Sequence, residues 1–137
     1  MRVLLDTNVL VAGFIARGQS SDLFEHCALE HTLVTSQIVL GEVRRVLLDE
    51  LGYPEDDVEE AAELVALRSS IVEPSPLAEP ASRDPDDDAI LATAVAGTCR
   101  CLVTGDDDLL TLESYEGIPI LRPGEFWAFE TAVEGEG

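Results

Sequence analysis

The sequence contains no lysine, and positive charge of any kind is scarce. All eight cationic side chains are arginines, against 28 aspartates and glutamates, which gives a formal net charge of −20 over 137 residues. Without lysine the chain has neither a P-loop lysine nor a Schiff-base lysine. A pI near 4.1 also argues against binding nucleic acid through a broad basic face. A polyanionic substrate would therefore be attracted locally, by metal ions or by a few arginines.

The excess of acid has two explanations that a melting experiment separates. In a cytoplasm that holds molar salt, repulsion among the carboxylates is screened within about 3 Å. A GC-rich genome that encodes arginine in place of lysine, combined with an ordinary acidic surface, accounts for the composition equally well. For a halophilic protein we expect the melting temperature to rise between low and molar KCl. A melting temperature that stays flat would contradict that origin.

Long apolar runs and signal sequences are also missing. The uncharged runs 7–16 and 89–99 are shorter than the roughly 20 residues that a membrane span requires, and Asp6 interrupts any signal-peptide pattern. We therefore expect a cytoplasmic protein without a membrane segment. Three cysteines (27, 99 and 101) are odd in number and lack zinc-site spacing, which predicts buried, reduced thiols. The length predicts one domain, residues 1–129, followed by a frayed acidic tail at 130–137.

Five short apolar segments have the length and β-branched content of buried strands: residues 3–5, 32–35, 70–73, 101–104 and 118–121. Between them, apolar residues recur at helical spacing. Three prolines precede acidic residues, as at the first turn of a helix: Pro54, Pro85 and Pro123. Strands that alternate with helices predict a parallel sheet covered on both faces, an α/β/α class. The proline-rich residues 74–84 are the one long connection.

Carboxylates directly follow two of these strands, where an open parallel sheet binds its ligands. Asp6 follows the first strand and Asp106 the fourth, while Glu42 and Asp88 lie at or near helix starts. Carboxylates that converge at one sheet edge repel each other unless a divalent cation neutralises them, and hard oxygen ligands select Mg²⁺ or Mn²⁺. Such a site predicts phosphodiester hydrolysis. The other acids within residues 84–88 and 106–108 are interpreted as charges in the first turn of a helix: Asp86, Asp87, Asp107 and Asp108.

Further groups are candidates for positioning the substrate or a metal-bound water: Thr7, Asn8, Ser36, Thr104, Asp108, Arg44 and Arg45. Ser36 serves equally well as the cap of the helix that carries Glu42, and Glu42 itself can pair with Arg45. Arg17 is the third cation expected near this edge, although an ordinary surface position is the simpler interpretation of all three arginines.

Other catalytic sets are not visible in the sequence. His26 and His31 fall on a helix and its exit, where we expect them to be solvated rather than catalytic. The sequence has no GxSxG elbow, HExxH pair, EF-hand loop or GxGxxG turn.

In their order and spacing, several segments together resemble the PIN-domain nucleases, specifically the VapC-like toxin components of bacterial and archaeal toxin-antitoxin systems. The matching segments are residues 3–11, Ser36 with Glu42 and residues 46–47, residues 84–94, residues 102–110, and residues 117–126. The resemblance implies an α/β/α sandwich with a five-stranded parallel sheet. It also implies an acid cluster that binds one or two Mg²⁺ or Mn²⁺ ions for RNA cleavage.

The resemblance assigns the family's acids to Asp6, Glu42, Asp88 and Asp106. Asp88 is chosen over its neighbour Asp87 because the family places this acid ahead of a small-residue pattern, which Ala92 and Ala94 satisfy. Asp6 and Asp88 are the expected direct ligands, while Glu42 and Asp106 reach the metal directly or through water. Many relatives carry basic residues around the groove, and this chain departs from them in having few.

The leading hypothesis is a metal-dependent endoribonuclease, the toxin of a toxin-antitoxin pair, with RNA as substrate and an antitoxin protein as partner. A homodimer is expected by family analogy. One alternative is a PIN-like module that binds partners without cutting. Another is a different acid-cluster phosphohydrolase, but the haloacid-dehalogenase pattern needs an aspartate where this chain has Asn8.

Overall fold

A parallel sheet forms the centre of the molecule in the computed structural model, which describes residues 1–15 and 19–136. The strands are β1 (Arg2–Leu5), β2 (Thr32–Thr35), β3 (Ser69–Ile71), β4 (Cys101–Val103), β5 (Ser114–Tyr115) and β6 (Ile118–Leu121). Their order is β3-β2-β1-β4-β6-β5, and all neighbours are parallel except the β5–β6 pair. The five predicted parallel strands are therefore confirmed, each within two residues of its predicted ends.

Helices cover both faces of this sheet, which confirms the predicted α/β/α class. They are α1 (Thr7–Ile15), α2 (Gln19–Glu30), α3 (Gln37–Arg45), α4 (Glu55–Leu67), α5 (Pro85–Ala96), α6 (Asp107–Leu110) and α7 (Phe126–Glu136). A π-helical turn, Val46–Glu50, continues α3, and a 3₁₀ turn, Pro123–Glu125, precedes α7. No helix in the described ranges combines the length and apolarity that a membrane crossing needs.

Prolines and short polar side chains set where the helices begin. Pro54 occupies the N-cap position just before α4, Pro85 is the first residue of α5, and Pro123 opens the 3₁₀ turn, close to the predicted helix starts. The Asp84 carboxylate caps α5 by accepting a hydrogen bond from the Asp86 N–H. Residues 74–84 form the long connection without helix or strand, because prolines at three positions prevent regular pairing.

The antiparallel edge strand β5 was not predicted, because two residues give no periodicity to detect. It pairs with β6 through a two-residue turn in which Glu116 and Gly117 have φ values of 48° and 79°. This backbone matches a hairpin turn whose two central residues are both left-handed. Gly117 adopts that conformation without a steric penalty.

The core lies between the sheet and its two helical layers. Leu4 and Leu102 are fully buried on the central strands, and Leu23, Val39 and Leu91 are fully buried on α2, α3 and α5. The three cysteines are free and buried, as predicted. Burial raises the pKa of the Cys101 thiol to about 12, so it remains a neutral apolar group.

The chain beyond residue 129 differs from the predicted frayed tail. Helix α7 continues to Glu136, and Glu130 in its second turn contacts His26 and His31. The helix is held because Phe126 is fully buried in the core and Arg100 pairs with Glu136 at 3.3 Å. Acidic composition at a chain end is therefore compatible with a packed helix when one face of that helix is anchored.

Candidate active site

The acidic site lies between β1 and β4, where the direction in which successive strands are added to the sheet reverses. The chain runs outward from β1 to β2 and β3 on one side, then returns to β4 beside β1 and continues outward to β6. Ligands of open parallel sheets bind at the carboxyl ends of the strands at such a switch point. Asp6 and Thr104 directly follow β1 and β4, and the Asp6 N–H donates to the Val103 carbonyl at 2.9 Å. These two side chains therefore start from adjacent backbone positions.

Asp6 is a buried carboxylate held by three donors. Its Oδ1 accepts from the Thr7 N–H at 2.7 Å, and its Oδ2 accepts from Thr104 Oγ1 at 2.7 Å and Asn8 Nδ2 at 3.1 Å. Only 5% of the residue is exposed, and this desolvation raises the pKa of the carboxyl against the opposing effect of these hydrogen bonds. Nearby Asp106 raises it further. The Asp6 carboxylate is thus fixed in orientation and lacks a neutralising cation among the described residues.

Asp106 is tied to the same network through Thr104. The Thr104 hydroxyl accepts from the Asp106 N–H at 3.0 Å while donating to Asp6. Asp106 also caps the short helix α6, where its Oδ1 accepts from the Asp108 N–H at 2.9 Å. Asn8 completes the link by accepting from the Gly105 N–H at 3.0 Å. The loop after β4 is therefore fastened to the loop after β1.

The structure places Asp87 in the acidic cluster, whereas the sequence-based prediction had selected its neighbour Asp88. Carboxylate oxygens of Asp87, Asp106 and Asp108 lie within 4.8 Å of one another. Asp87 is 6% exposed, and its pKa is raised to about 7, first by burial and then by the charge of Asp106. Two carboxylates this close are compatible only with a shared proton or with a bound cation.

Asp88 instead holds the proline-rich connection in place. Its Oδ1 accepts from the backbone N–H groups of Ala81 and Ser82 at 3.1 and 2.8 Å. Consecutive residues on an α-helix point about 100° apart, so only one of the pair can face the cluster. Helical spacing alone does not make the choice, because Asp87 precedes buried Ile90 and Leu91 by three and four residues, and Asp88 precedes buried Leu91 and Ala92 at the same spacings.

Glu42 faces the same cleft from α3 but is already paired. Arg45 donates to both of its carboxylate oxygens, at 3.2 and 3.1 Å, and also to Glu50 Oε1 at 3.1 Å. Hydrogen bonding to Glu42 raises the pKa of the exposed Arg45 guanidinium, so it stays charged. Arg44 does not line the cleft and pairs with Glu59 on α4 at 3.1 Å. Arg17 lies outside the described residues.

The remaining predicted positioning groups divide between the cleft and the core. Thr7 and Asn8 line the cleft, and Asp108 is exposed at its edge beside Asp106. Ser36 is fully buried, where its hydroxyl caps α3 through the Val39 N–H and lies 3.0 Å from the Thr93 hydroxyl. Ser36 therefore orients the helix that carries Glu42 and does not itself line the cleft.

These groups surround a cleft of about 520 Å³. Within the described residues its wall carries one arginine, Arg45, against seven acids: Asp6, Glu42, Glu50, Asp84, Asp86, Asp87 and Asp106. Three of these acids, Glu50, Asp84 and Asp86, are not among the site residues predicted from the sequence. The carboxylates offer only oxygen ligands, which suit Mg²⁺ or Mn²⁺. A cation between Asp87 and Asp106 would relieve the repulsion between their carboxylates. The residues present therefore fit a divalent cation.

Fold and site together define the class: an α/β/α domain with an acidic centre at the switch point of its parallel sheet. The chain belongs to the PIN domain family, whose model matches residues 2–108. Among curated protein sequences none gives a significant match.

Solved structures with the same fold include proteins of three bacteria. VapBC2 of Rickettsia felis, solved with a promoter DNA fragment, is 17% identical with a TM-score of 0.63, covering 88% of this chain and 97% of its own. FitAcB of Neisseria gonorrhoeae is 19% identical with a TM-score of 0.58 and covers 88% and 97%. VapC20 of Mycobacterium tuberculosis, described as a toxin that cleaves the Sarcin-Ricin loop, is 16% identical with a TM-score of 0.53 and covers 85% and 98%. At these identities the likeness establishes the fold.

Proposed function

We propose that this protein is a divalent-metal-dependent endoribonuclease, the toxin component of a toxin-antitoxin pair. The observation that carries the proposal is the approach of the Asp87 and Asp106 carboxylates to within 4.8 Å beside buried Asp6, in an open cleft at the switch point. Membership in the PIN domain family supports nuclease chemistry. The fold shared with VapC20, described as a Sarcin-Ricin loop cleaving toxin, supports RNA as the substrate class.

Asp6, Asp87 and Asp106 would hold Mg²⁺ or Mn²⁺, with Glu42 joining directly or through water. One or two such ions would supply a water of lowered pKa and neutralise the leaving oxygen of the phosphodiester. Thr104 and Asn8 orient Asp6 Oδ2 and the Thr7 N–H orients Oδ1, so the carboxylate needs little reorganisation when it binds. Arg45 stands at the cleft wall, where it can exchange a carboxylate partner for a substrate phosphate.

Charge on the cleft wall explains why metal would be needed for binding as well as for chemistry. An RNA phosphate entering a site with seven acids and one arginine is repelled unless cations are already there. Few phosphates would be neutralised by side chains, so counterion release contributes little to RNA affinity. Metal bridging and the shape of the RNA would then decide which sites are cut.

An exposed apolar surface beside the cleft supports a protein partner. Ile15, Leu51 and Tyr53 are 47%, 44% and 37% exposed, and Ile15 and Leu51 also line the cleft. Clustered exposed apolar side chains mark interfaces between proteins. An antitoxin seated there would border the entrance to the acidic centre. A second copy of the chain is the other occupant that this surface suits.

Cleavage of a labelled RNA pool, measured with Mn²⁺, Mg²⁺ or excess EDTA at low and molar KCl, tests the proposal. We expect cutting with either metal, none with EDTA, and recovery when metal is restored. Asp6→Asn keeps the shape of the side chain and removes its charge, so we expect it to lose cutting while remaining folded. Cutting that survives EDTA or Asp6→Asn would contradict the proposal. A folded wild type that cuts under no condition would favour the non-catalytic binding module.

A further inference from the structure

Two histidines and a glutamate meet on the far side of the molecule from the acidic centre. His26 Nε2 and His31 Nε2 each lie 2.5 Å from Glu130 Oε2, and ligand atoms of all three residues lie within 4.8 Å of one another. The side chains are 30%, 6% and 13% exposed, so the group is largely withdrawn from water while His26 leaves it a path to solvent. Both histidines are paired with Glu130, whereas the sequence predicts solvated side chains, and only His26 remains partly exposed.

The topology separates this cluster from the candidate active site. His31 immediately precedes β2, and the Thr32 N–H donates to the Met1 carbonyl ahead of β1, so the cluster lies at the amino edge of the sheet. Asp6 and Asp106 lie at the carboxyl edge. A four-residue strand spans about 13 Å, so no single ion can contact both groups. The cluster plays no part in the proposed nuclease chemistry.

The donor set is one that selects Zn²⁺. Imidazole nitrogen is a borderline ligand and carboxylate oxygen is a hard ligand. Zinc sites combine two of the former with one of the latter and take water as the fourth ligand. Glu130 Oε2 lies within hydrogen-bond distance of both imidazoles, so one carboxylate oxygen already faces the two ring nitrogens. Among the described residues no arginine reaches this carboxylate.

The spacing needs only a small change to admit the ion. Zinc bonds of about 2.0–2.1 Å place tetrahedral ligand atoms about 3.3 Å apart, so Glu130 would withdraw by about 0.8 Å from each imidazole. Aromatic rings hold the imidazoles in place: Trp127 lies 4.9 Å from the His26 ring, and Phe126 lies 5.9 Å from the His31 ring. On its other side, His31 Nδ1 lies 3.2 Å from the Met1 amino nitrogen, so Nε2 is the ring nitrogen that faces Glu130.

We propose that His26, His31 and Glu130 form a structural Zn²⁺ site that fastens the C-terminal helix α7 to the end of α2. The ligands are 104 and 99 residues apart in sequence, so the ion would close most of the chain into one loop. Binding to three preformed ligands stabilises the folded state because the unfolded chain offers no such arrangement. In the absence of the ion, the same three groups form a hydrogen-bonded contact between the two helices.

Cobalt titration of the untagged, chelator-treated protein tests this site, because Trp127 is the single tryptophan and contacts a ligand. Excess Mg²⁺ is present to fill the oxygen-ligand centre without competing for imidazole. We expect one equivalent of Co²⁺ to quench Trp127 fluorescence and to give the intense visible absorption of a four-coordinate ion. One equivalent of Zn²⁺ should then displace Co²⁺ and restore the fluorescence.

Matched variants identify the ligands. Glu130→Gln removes the charged ligand and is expected to weaken Co²⁺ binding more than about 100-fold, exceeding the usual loss for a residue that only supports a ligand. His26→Gln, at the most exposed of the three positions, should do the same and guards against a fold defect in the first variant. Glu134→Gln, the same charge change one turn along α7, and Asp87→Asn, in the acidic centre, should leave the quenching unchanged. Quenching that is absent in wild type, or that persists in Glu130→Gln and His26→Gln, would overturn the proposal.

Discussion

Asp87→Asn is expected to slow RNA cleavage by about 10³-fold with Mn²⁺, whereas Asp88→Asn, one residue along the same helix, is expected to stay within about threefold of wild type. A metal supplies several kcal/mol of transition-state stabilisation, and about 4 kcal/mol corresponds to about 10³ in rate. Asp87 reaches Asp106 in the cleft, while Asp88 accepts two backbone hydrogen bonds from the connection at residues 81–82. Initial cleavage rates at saturating metal measure the difference.

The variant that loses cleavage should be the more stable of the two, and this separates a chemical defect from a folding defect. Losing the Asp88 carboxylate removes hydrogen bonds to a charged acceptor, worth roughly 1.5–3 kcal/mol, so Asp88→Asn should melt at a lower temperature. Asp87→Asn relieves repulsion from Asp106 and should melt higher than wild type without metal. Rates are therefore compared well below both melting temperatures. Equal loss of cleavage in both variants, or loss in Asp88→Asn alone, would contradict the placement of Asp87 in the cluster.

The choice between Asp87 and Asp88 illustrates what sequence patterns can resolve. Strand positions were predicted closely because buried parallel strands are short, apolar and flanked by turn residues. That placement alone brings Asp6 and Asp106 to one edge, since both follow neighbouring strands. The helix acid requires a rotational assignment, in which a shift of one residue turns the side chain by about 100°. Resemblance to a motif specified the run of aspartates, but burial on the helix decided which member joins the site.

Contacts between distant parts of the chain could not be predicted from the sequence for a different reason. His26 and His31 carry no local signal that separates a solvated side chain from a paired one, because their partner Glu130 is about 100 residues away. The same contact explains why the acidic C-terminal residues are helical rather than frayed. Glu42 is a similar case, since its pairing with Arg45 was foreseeable at a spacing of three, whereas Glu50 joins through the π-helical turn.

Without metal, the folding stability of the protein is expected to fall as the pH rises from about 4 to above 7. The Asp87 carboxyl has a pKa of about 7 in the folded state and an ordinary value of 3.8, so the folded protein retains a proton that the unfolded chain releases. Stability therefore decreases through this interval and levels off above it. A raised pKa for buried Asp6 adds in the same direction. Glu130, whose pKa is lowered from an ordinary 4.5, acts in the opposite direction at the acidic end of this interval.

The free energy of unfolding that Asp87 removes is about 4 kcal/mol at most, since each unit of pKa is worth 1.36 kcal/mol. For a domain of this size, such a loss lowers the melting temperature on the order of 10 °C. A bound cation replaces the proton, so Mn²⁺ should raise the melting temperature more at pH 8 than at pH 5. Calorimetry of wild type and Asp87→Asn, in EDTA and in Mn²⁺ across this range, measures both effects. Asp87→Asn should flatten the EDTA profile and lose most of the Mn²⁺ gain, because the group that exchanges a proton for metal is gone. An EDTA profile that rises between pH 5 and 8, or an equal Mn²⁺ gain in the variant, would show that Asp87 and Asp106 do not share a site that demands positive charge.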